Sequence, residues 1–144
     1  MTAKYDLTLN KGSSYDLWVQ YLSDGNTGID LKPYDPVFEI KKYRGATEVI
    51  LFVDETGVKY VCTGDIETTG YECVGQININ KNYTGTGLTG GIYIVVDANT
   101  TAQLPEGNWF YDLQLVYNTG LTYSNRILEG KIRVAPGVNG WNSK

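Results

Sequence analysis

This 144-residue chain contains no histidine, which limits the residue types that could do chemistry. Histidine is the commonest general base near neutral pH and the commonest zinc ligand in proteins. A catalytic site would therefore have to use carboxylates, tyrosine, lysine or cysteine. Four features qualify for closer inspection: Asp112, the oxygen-rich segment 24–30, the two cysteines, and a glycine string at 85–91.

Asp112 lies in the middle of the most strand-like run of the chain, EGNWFYDLQLVY over residues 106–117. If residues 118–120 form a three-residue hairpin loop, Tyr117 lies opposite Leu121 and Asp112 lies opposite Arg126. Such a cross-strand ion pair contributes from a fraction of a kcal/mol to about 1 kcal/mol. A two-residue loop would place Ile127 opposite Asp112 instead. We predict a structural Asp112–Arg126 pair and no catalytic residue, since no second perturbed group is identifiable nearby.

The segment Asp24-x-Asn26-x-Gly28-x-Asp30 spaces oxygen ligands like the start of a calcium-binding loop. It lacks the later bidentate glutamate of such loops, and Gly28 has no side-chain ligand to offer. The same residue types are ordinary turn formers. We interpret the segment as a turn, and we predict neither a metal nor a cofactor for this chain.

The two cysteines, Cys62 and Cys73, lie eleven positions apart and could face each other across a hairpin. Two cysteines without histidine cannot complete a zinc site. The N-terminus has no apolar stretch of the kind found in secretory signals, which indicates synthesis in a cytosol. Reduced thiols are therefore favoured over a disulfide, which stays the alternative.

The glycine string consists of Gly85, Gly87, Gly90 and Gly91, in the pattern G-x-G-x-x-G-G. A dinucleotide-binding loop of this kind stands between a strand and a helix. Here the string is followed by Ile92-Tyr-Ile-Val-Val96, an apolar run typical of a buried strand. A nucleotide site is therefore rejected.

Charge and hydropathy narrow the classes of partner. The net charge is −4, and lysine and arginine do not cluster. Binding to a phosphate backbone needs several basic contacts, so nucleic acid is excluded, and an anionic membrane surface is disfavoured for the same reason. No run approaches the roughly 18 apolar residues that span a bilayer.

Hydrophobic periodicity predicts an all-β protein. Period-two alternation or β-branched and aromatic enrichment predicts strands over 5–9, 15–22, 37–43, 58–62, 72–79, 92–96, 108–117 and 122–134. The run 48–53 fits either a strand or a buried helical turn. One short helical turn is predicted near 99–104, with Asn99 or Thr100 as its N-cap. About seven to nine strands at short spacing predict an antiparallel β-sandwich, with a barrel as the other arrangement.

The chain divides into one predicted domain and a tail. Residues 1–136 form the β-sandwich domain and residues 137–144 the tail, which contains Trp141. Region 46–91 is predicted as a possible local elaboration, and its Gly/Thr-rich part, 82–91, as a flexible loop. Trp141 is expected either to dock on its own domain or to insert into a neighbour.

Three segments in the first third resemble small β-sandwich proteins of tailed-bacteriophage virions, notably those of tails and baseplates. NKGSSYDL at 10–17 is similar to their opening x-x-G-x-x-φ-x-φ, where φ is apolar. SDGNTGIDL at 23–31 is like their dG-x-x-idL hairpin. VFEIKK at 37–42 stands where they have the strand a-x-m-q-I-R.

The strongest resemblance is in the closing run. TAQLPEGNWFYDLQL at 101–115, followed by RILEGKIRV at 126–134, looks like the family ending t-a-x-l-x-x-G-x-Y-x-Y-D-L-x-φ … r-l-l-e-G-x-φ-x-V. The YDL and LEG-x-I-x-V pieces are the distinctive ones, whereas region 46–91 has no clear counterpart. The resemblance implies an immunoglobulin-like sandwich without a catalytic site, in which Asp112 and Glu129 belong to the fold pattern.

The leading hypothesis is a non-enzymatic virion structural protein of a phage tail, baseplate or neck, assembled in the cytoplasm of the bacterial host. Its partners would be other virion proteins or copies of itself. Assembly contacts are expected from the Gly/Thr loop, with Tyr83 and Leu88, and from the tail, with Trp141. The alternatives are a carbohydrate-binding module or phage adhesin that uses Trp18 and Trp109, and a capsid decoration protein. An enzyme based on carboxylates is a minority alternative, because no acid–base pair can be located.

Overall fold

The computed structural model describes residues 3–23, 27–61, 64–65, 73–82, 84, 86–117 and 124–136. It confirms the predicted all-β sandwich. The described residues form 13 strands and one short helix, and nine of the strands have four residues or more. The strands are β1 (Ala3–Lys4), β2 (Leu7–Asn10), β3 (Tyr15–Gln20), β4 (Leu22–Ser23), β5 (Thr27–Gly28), β6 (Tyr34–Lys41), β7 (Val49–Asp54), β8 (Gly57–Val61), β9 (Gly64–Asp65), β10 (Gly75–Lys81), β11 (Gly87–Val96), β12 (Gly107–Tyr117) and β13 (Ser124–Ala135).

Two sheets enclose the core. The large sheet has the order β1-β13-β12-β6-β7-β8-β9, and β2 pairs with β13 beside β1. The small sheet has the order β10-β11-β3, and β4 and β5 form a separate two-stranded ribbon. Buried residues of both sheets form a single hydrophobic cluster. The described part of the chain therefore folds around one core.

The large sheet departs from the predicted antiparallel arrangement at one edge. β1 and β2 both pair with β13 in parallel, at Ala3 opposite Leu128 and at Leu7 opposite Ile132. Parallel neighbours need a long connection, and here almost the whole domain separates the first strands from the last. This pairing places the first strands beside the last one, and short-range sequence patterns cannot predict it.

Alternation along β6 and β7 produces the buried face of the large sheet. Phe38 and Ile40 are fully buried, as their period-two spacing predicts. The ambiguous run 48–53 is strand β7, in which Leu51 and Val53 are fully buried and pair with β6 and β8. Region 46–91 thus supplies strands to both sheets.

The predicted flexible loop at 82–91 is wrong for its second half, because strand β11 begins at Gly87. Here the glycines allow close backbone approach instead of free motion. A Cβ atom added at Gly91 would lie 2.0 Å from the carbonyl oxygen of Lys81. Glycine at position 91 therefore lets β11 lie close to the backbone of Lys81, which a larger residue would displace.

The single helix of the described residues, α1 (Ala98–Ala102), lies where a helical turn was predicted. Its N-cap is Asp97 and not Asn99 or Thr100, because the Asp97 carboxylate accepts a hydrogen bond from the backbone N–H of Thr100 at 2.9 Å. The fully buried Thr101 hydroxyl donates to the carbonyl of Ser13 at 2.8 Å. The helix thereby holds the turn between β2 and β3. No helix among the described residues has the length and apolar character to span a membrane.

Candidate functional site

Three carboxylates form a row across three neighbouring strands of the large sheet. Asp112 on β12 is the register partner of Glu39 on β6 and of Glu129 on β13. The row lies on the outer face, because the next residues along two of these strands, Phe38 and Leu113, are fully buried in the core. Like charges directly opposite each other destabilise a sheet. The row is therefore stable only if cations compensate it.

Two arginines and a lysine supply that compensation. Arg126 Nε lies 3.3 Å from Asp112 Oδ2, and its Nη1 lies 3.4 Å from Glu129 Oε1. Arg44 Nη1 reaches Glu129 Oε2 at 3.2 Å, and Lys41 Nζ reaches Glu39 Oε2 at 3.7 Å. The carboxylates are the buried partners: the Asp112 side chain is 16% exposed and the Arg126 side chain 49%. Ion pairs of this depth are screened less than surface pairs.

The predicted Asp112–Arg126 pair is present, but neither of the two registers considered, with Arg126 or with Ile127 opposite Asp112, is the observed one. The residue opposite Asp112 is Glu129, and Arg126 lies opposite Gln114 and reaches Asp112 diagonally. A register shift between Leu113 and Gln114 contributes to this difference. Residues 118–123, which contain the predicted loop, lie outside the described part of the chain.

These charges line a shallow cavity of about 170 Å³, which we call the charged pocket. Its lining comprises Glu39, Lys41, Tyr43, Arg44, Gly45, Phe110, Tyr111, Asp112, Arg126, Glu129 and Gly130. The Arg44 guanidinium carbon lies 5.8 Å from the centroid of the Phe110 ring, within range of a cation–π contact. Tyr43 at the rim is 62% exposed.

Burial of the Glu39 side chain raises the pKa of its carboxyl above the ordinary value. Lys41 opposes this increase and Asp112 adds to it. Among the described residues no three His, Cys, Asp or Glu side chains are placed to hold a metal ion. Chemically, the pocket is a compensated set of three anions and three cations, which suits structural pairing or recognition of a polar ligand.

Replacing Glu39 by glutamine tests the effect of this burial. The pKa of the Glu39 carboxyl in the folded state lies above its unfolded value near 4.5. Ionisation of Glu39 therefore lowers the free energy of unfolding as the pH rises above about 4.5. We expect Glu39→Gln to gain stability relative to the parent between pH 4 and pH 7. The gain should stay below about 1 kcal/mol, because the side chain is partly solvated and loses Lys41 as a partner.

The measurement is urea unfolding at several pH values. Glu48→Gln is the matched control, because Glu48 is 64% exposed and pairs with Lys42 on the surface. This control removes an exposed surface pair only and should change the free energy of unfolding little. A Glu39→Gln curve parallel to that of the parent would contradict the expected role of burial.

Arg126 is the bridge between two carboxylates, so its loss should leave them facing each other. We expect Arg126→Met to lower the free energy of unfolding by about 1 kcal/mol, and a further Asp112→Asn change to recover part of that loss. Urea unfolding at pH 7 and low salt measures both variants. Lys42→Met, which removes a surface pair at 3.4 Å, is the control and should change little. Equal losses for the single and double variants would show that Arg126 does not act through Asp112.

The other residues weighed as assembly contacts, or as calcium ligands and then rejected, do not come together in a site among the described residues. Leu88 is half-buried in β11, whereas Tyr83 and Trp141 lie outside the described residues, as do Asp24 and Asn26. Asp30 Oδ1 accepts hydrogen bonds from the backbone N–H of Lys32 and from Asn80 Nδ2, which suits the predicted turn.

The two thiols cannot be compared, because Cys62 lies outside the described residues. Cys73 is half-buried and packs against the hydrophobic core. The pairing state of the two cysteines stays a prediction.

The two tryptophans considered for sugar binding are held by their own domain. Trp18 Nε1 donates to the carbonyl of Lys81 at 3.1 Å, and Trp109 Nε1 donates to the carbonyl of Pro105 at 2.9 Å. Trp109 also packs against the core. Each indole N–H is thus satisfied within the chain, and of the two rings Trp109 is the one that packs against the core.

Two features escaped the sequence analysis. The grouping of Arg44 with Glu129 depends on residues far apart in the chain, although the outward position of Glu39 and Lys41 was visible in the alternation of β6. The second feature is an apolar groove of about 470 Å³ at the edges of the two sheets. We call it the edge groove, and its lining is Ala3, Val19, Gln20, Tyr21, Leu22, Ile127 and Leu128.

Comparison with known proteins gives little further information. No protein-family model and no curated protein sequence matches the chain. Among solved structures, one similar chain belongs to a study described as "Structural basis of T cell specificity and activation by the bacterial superantigen toxic shock syndrome toxin-1". The identity is 12%, the alignment covers 91% of this chain and 92% of the other, and the TM-score is 0.43. Likeness at this level supports no conclusion about function.

Proposed function

We propose that this chain is a non-enzymatic structural protein of a tailed-bacteriophage virion, which assembles through protein–protein contacts in the tail, baseplate or neck. Its partners are other virion proteins or copies of itself, and it needs no cofactor. The proposal combines the resemblance of the closing run with the way the structure uses the residues of that run.

The observation that carries the proposal is that the distinctive residues of the closing run contact one another. Asp112 of the YDL piece and Glu129 of the LEG-x-I-x-V piece are register partners, and Arg126 bridges their carboxylates. Among the described residues no buried side-chain nitrogen or oxygen lacks a hydrogen-bond partner. The motif therefore serves the central β12–β13 pair of a rigid sandwich, as expected for an assembly module.

The net charge and the surface are compatible with this role. An acidic chain without a basic cluster does not favour nucleic acid as the partner. The edge groove adds an apolar surface of the kind that binds another protein segment. In this function the sandwich is a rigid body and the attachment surfaces lie at its edges.

The direct test is to ask whether the protein is a component of particles. Phage particles of the encoding genome would be purified on a density gradient and separated into head and tail fractions, and the chain would be quantified by mass spectrometry. A constant stoichiometry in the tail fraction is expected. Presence in the head fraction alone would favour capsid decoration, and absence from all particles would refute the proposal.

A second candidate function, carbohydrate binding in an adhesin, is favoured by one observation. The charged pocket places the exposed Tyr43 and the half-buried Phe110 beside carboxylate and guanidinium groups, a combination that suits sugar hydroxyls and a sugar face. A glycan array with the parent and with Tyr43→Ala tests it. Silence of both proteins would eliminate this function, whereas parent-only binding would support it over pure assembly.

A further inference from the structure

The edge groove lies between the free edges of the two sheets. One wall comes from the end of β3 and the following residues, with Val19, Tyr21 and Leu22, and the other from β1 and β13, with Ala3 and Leu128. β1 is the terminal strand of the large sheet, and among the described residues β3 pairs only with β11. The groove is therefore apolar and is flanked by strand edges, which are common attachment sites for another chain segment.

We propose that the edge groove binds the C-terminal tail, residues 137–144, of a second copy of this chain, with Trp141 as the anchor. This inference rests on the assembly function proposed above and names its partner and site. The tail sequence, GVNGWNSK, contains one large apolar side chain flanked by glycine and asparagine. A tryptophan buries roughly 150–250 Å² and is enriched among the residues that dominate interface energies.

The length of the tail argues that the anchor comes from another copy. β13 ends at Ala135, where it pairs with Asn10, and the groove lies further back along the strand, near Leu128. The distance back along β13 is about 23 Å, since seven residues rise about 3.3 Å each. Trp141 follows Ala135 by six residues, which span at most about 22 Å when fully extended.

The tail must also reverse direction before it could return along its own domain, because β13 runs away from the groove. A reversal consumes at least two residues, and the remaining four can extend at most about 14 Å, less than the distance back to the groove. A neighbouring copy that approaches end to end has no such restriction. The contact joins two different surfaces, so repeating it produces a closed ring or an open chain of subunits.

The test is photo-crosslinking in the full-length chain. Trp141→p-benzoylphenylalanine keeps an aromatic anchor and reports its neighbours. We expect cross-linked dimers whose bonds map by mass spectrometry to residues 19–22 or 127–128. Cross-links confined to one chain, or dimers that map elsewhere, would overturn the proposal.

Two further measurements make the result independent of any one variant. Ala3→Glu places a carboxylate on the wall of the groove and should reduce the dimer yield at least about tenfold. Lys4→Glu, on the adjacent residue outside the lining, should leave the yield unchanged. Excess synthetic peptide 137–144 should compete, and the same peptide with Trp141→Ser should not. Insensitivity to both Ala3→Glu and the competing peptide would refute the site.

The outcomes separate this inference from the proposed function. A chain that is found in purified tails but gives no mapped dimers contradicts the tail contact alone. Mapped dimers of a chain that is absent from particles support the tail contact and contradict the virion role.

Discussion

Gly130→Ala is expected to lower the free energy of unfolding by about 3 kcal/mol, because the added methyl group would overlap a neighbouring strand. A Cβ atom at position 130 would lie 2.1 Å from the carbonyl oxygen of Tyr5, far inside van der Waals contact. The clash is with backbone, so no side chain can rotate away from it. Position 130, in the LEG piece of the closing run, therefore requires glycine for steric reasons.

The Tyr5 peptide cannot easily shift to make room, because it is held from two directions. Its N–H donates to the carbonyl of Glu129 at 3.0 Å, and its carbonyl accepts a hydrogen bond from the Tyr111 hydroxyl. Burial raises the pKa of the Tyr111 hydroxyl, so this donor stays protonated at every pH at which the protein is studied. We therefore expect Gly130→Ala to detach β1 from β13 or to strain both strands.

Urea unfolding at pH 7 measures the loss, and hydrogen exchange of the Tyr5 amide locates it. Gly87→Ala is the matched control, because an added Cβ there meets no atom within 4 Å and the residue also lies in a strand. The control should change stability by less than about 1 kcal/mol. If Gly130→Ala lowers the free energy of unfolding no more than Gly87→Ala does, the backbone at Tyr5 can shift away from position 130 without cost.

Asn80→Ala is expected to cost about 2–3 kcal/mol, the second large effect. Asn80 Oδ1 accepts from the backbone N–H groups of Leu31 and Gly90, each at 3.1 Å, and its Nδ2 donates to Asp30 Oδ1 at 2.9 Å. Alanine would leave two partly buried donors without an acceptor. The residue also has φ 56°, a left-handed conformation that asparagine tolerates better than alanine does.

Asn80→Gly separates the two causes, because glycine relieves the backbone strain but still lacks the amide. If the hydrogen bonds dominate, Asn80→Gly should recover at most about 1 kcal/mol of the alanine loss. Asn78→Ala is the control, two residues earlier on β10, where the side chain accepts only an exposed hydrogen bond from Gln76. Thermal and urea unfolding of the three variants decide between the causes. Equal losses of unfolding free energy for the alanine variants at positions 78 and 80 would show that the hydrogen bonds of Asn80 do not stabilise the fold.

The sequence by itself determined the secondary-structure class, because alternation needs only neighbouring residues. Phe38 and Ile40 on β6, and Tyr111, Leu113 and Leu115 on β12, are buried as their spacing requires. The same local logic placed the helical turn and identified Arg126 as the partner of Asp112. Two of its local predictions are wrong. The N-cap of the helix is Asp97 and not Asn99 or Thr100. Residues 87–91 belong to strand β11 and not to a loop, and the close approach of Gly91 to the backbone of Lys81 could not be read from the sequence.

Only the tertiary structure decided which distant residues meet. The bulge after Leu113 shifts the β12–β13 register by one residue at Asp112, and no pattern on either strand encodes that extra residue. Arg44 meets Glu129, and Asn80 meets Leu31, across long stretches of chain whose register depends on the whole sheet. The edge groove likewise exists only because folding leaves β1 and β3 at neighbouring edges. Local periodicity decides whether a side chain points into the core or to the outer face, whereas long-range strand pairing decides which residues it contacts.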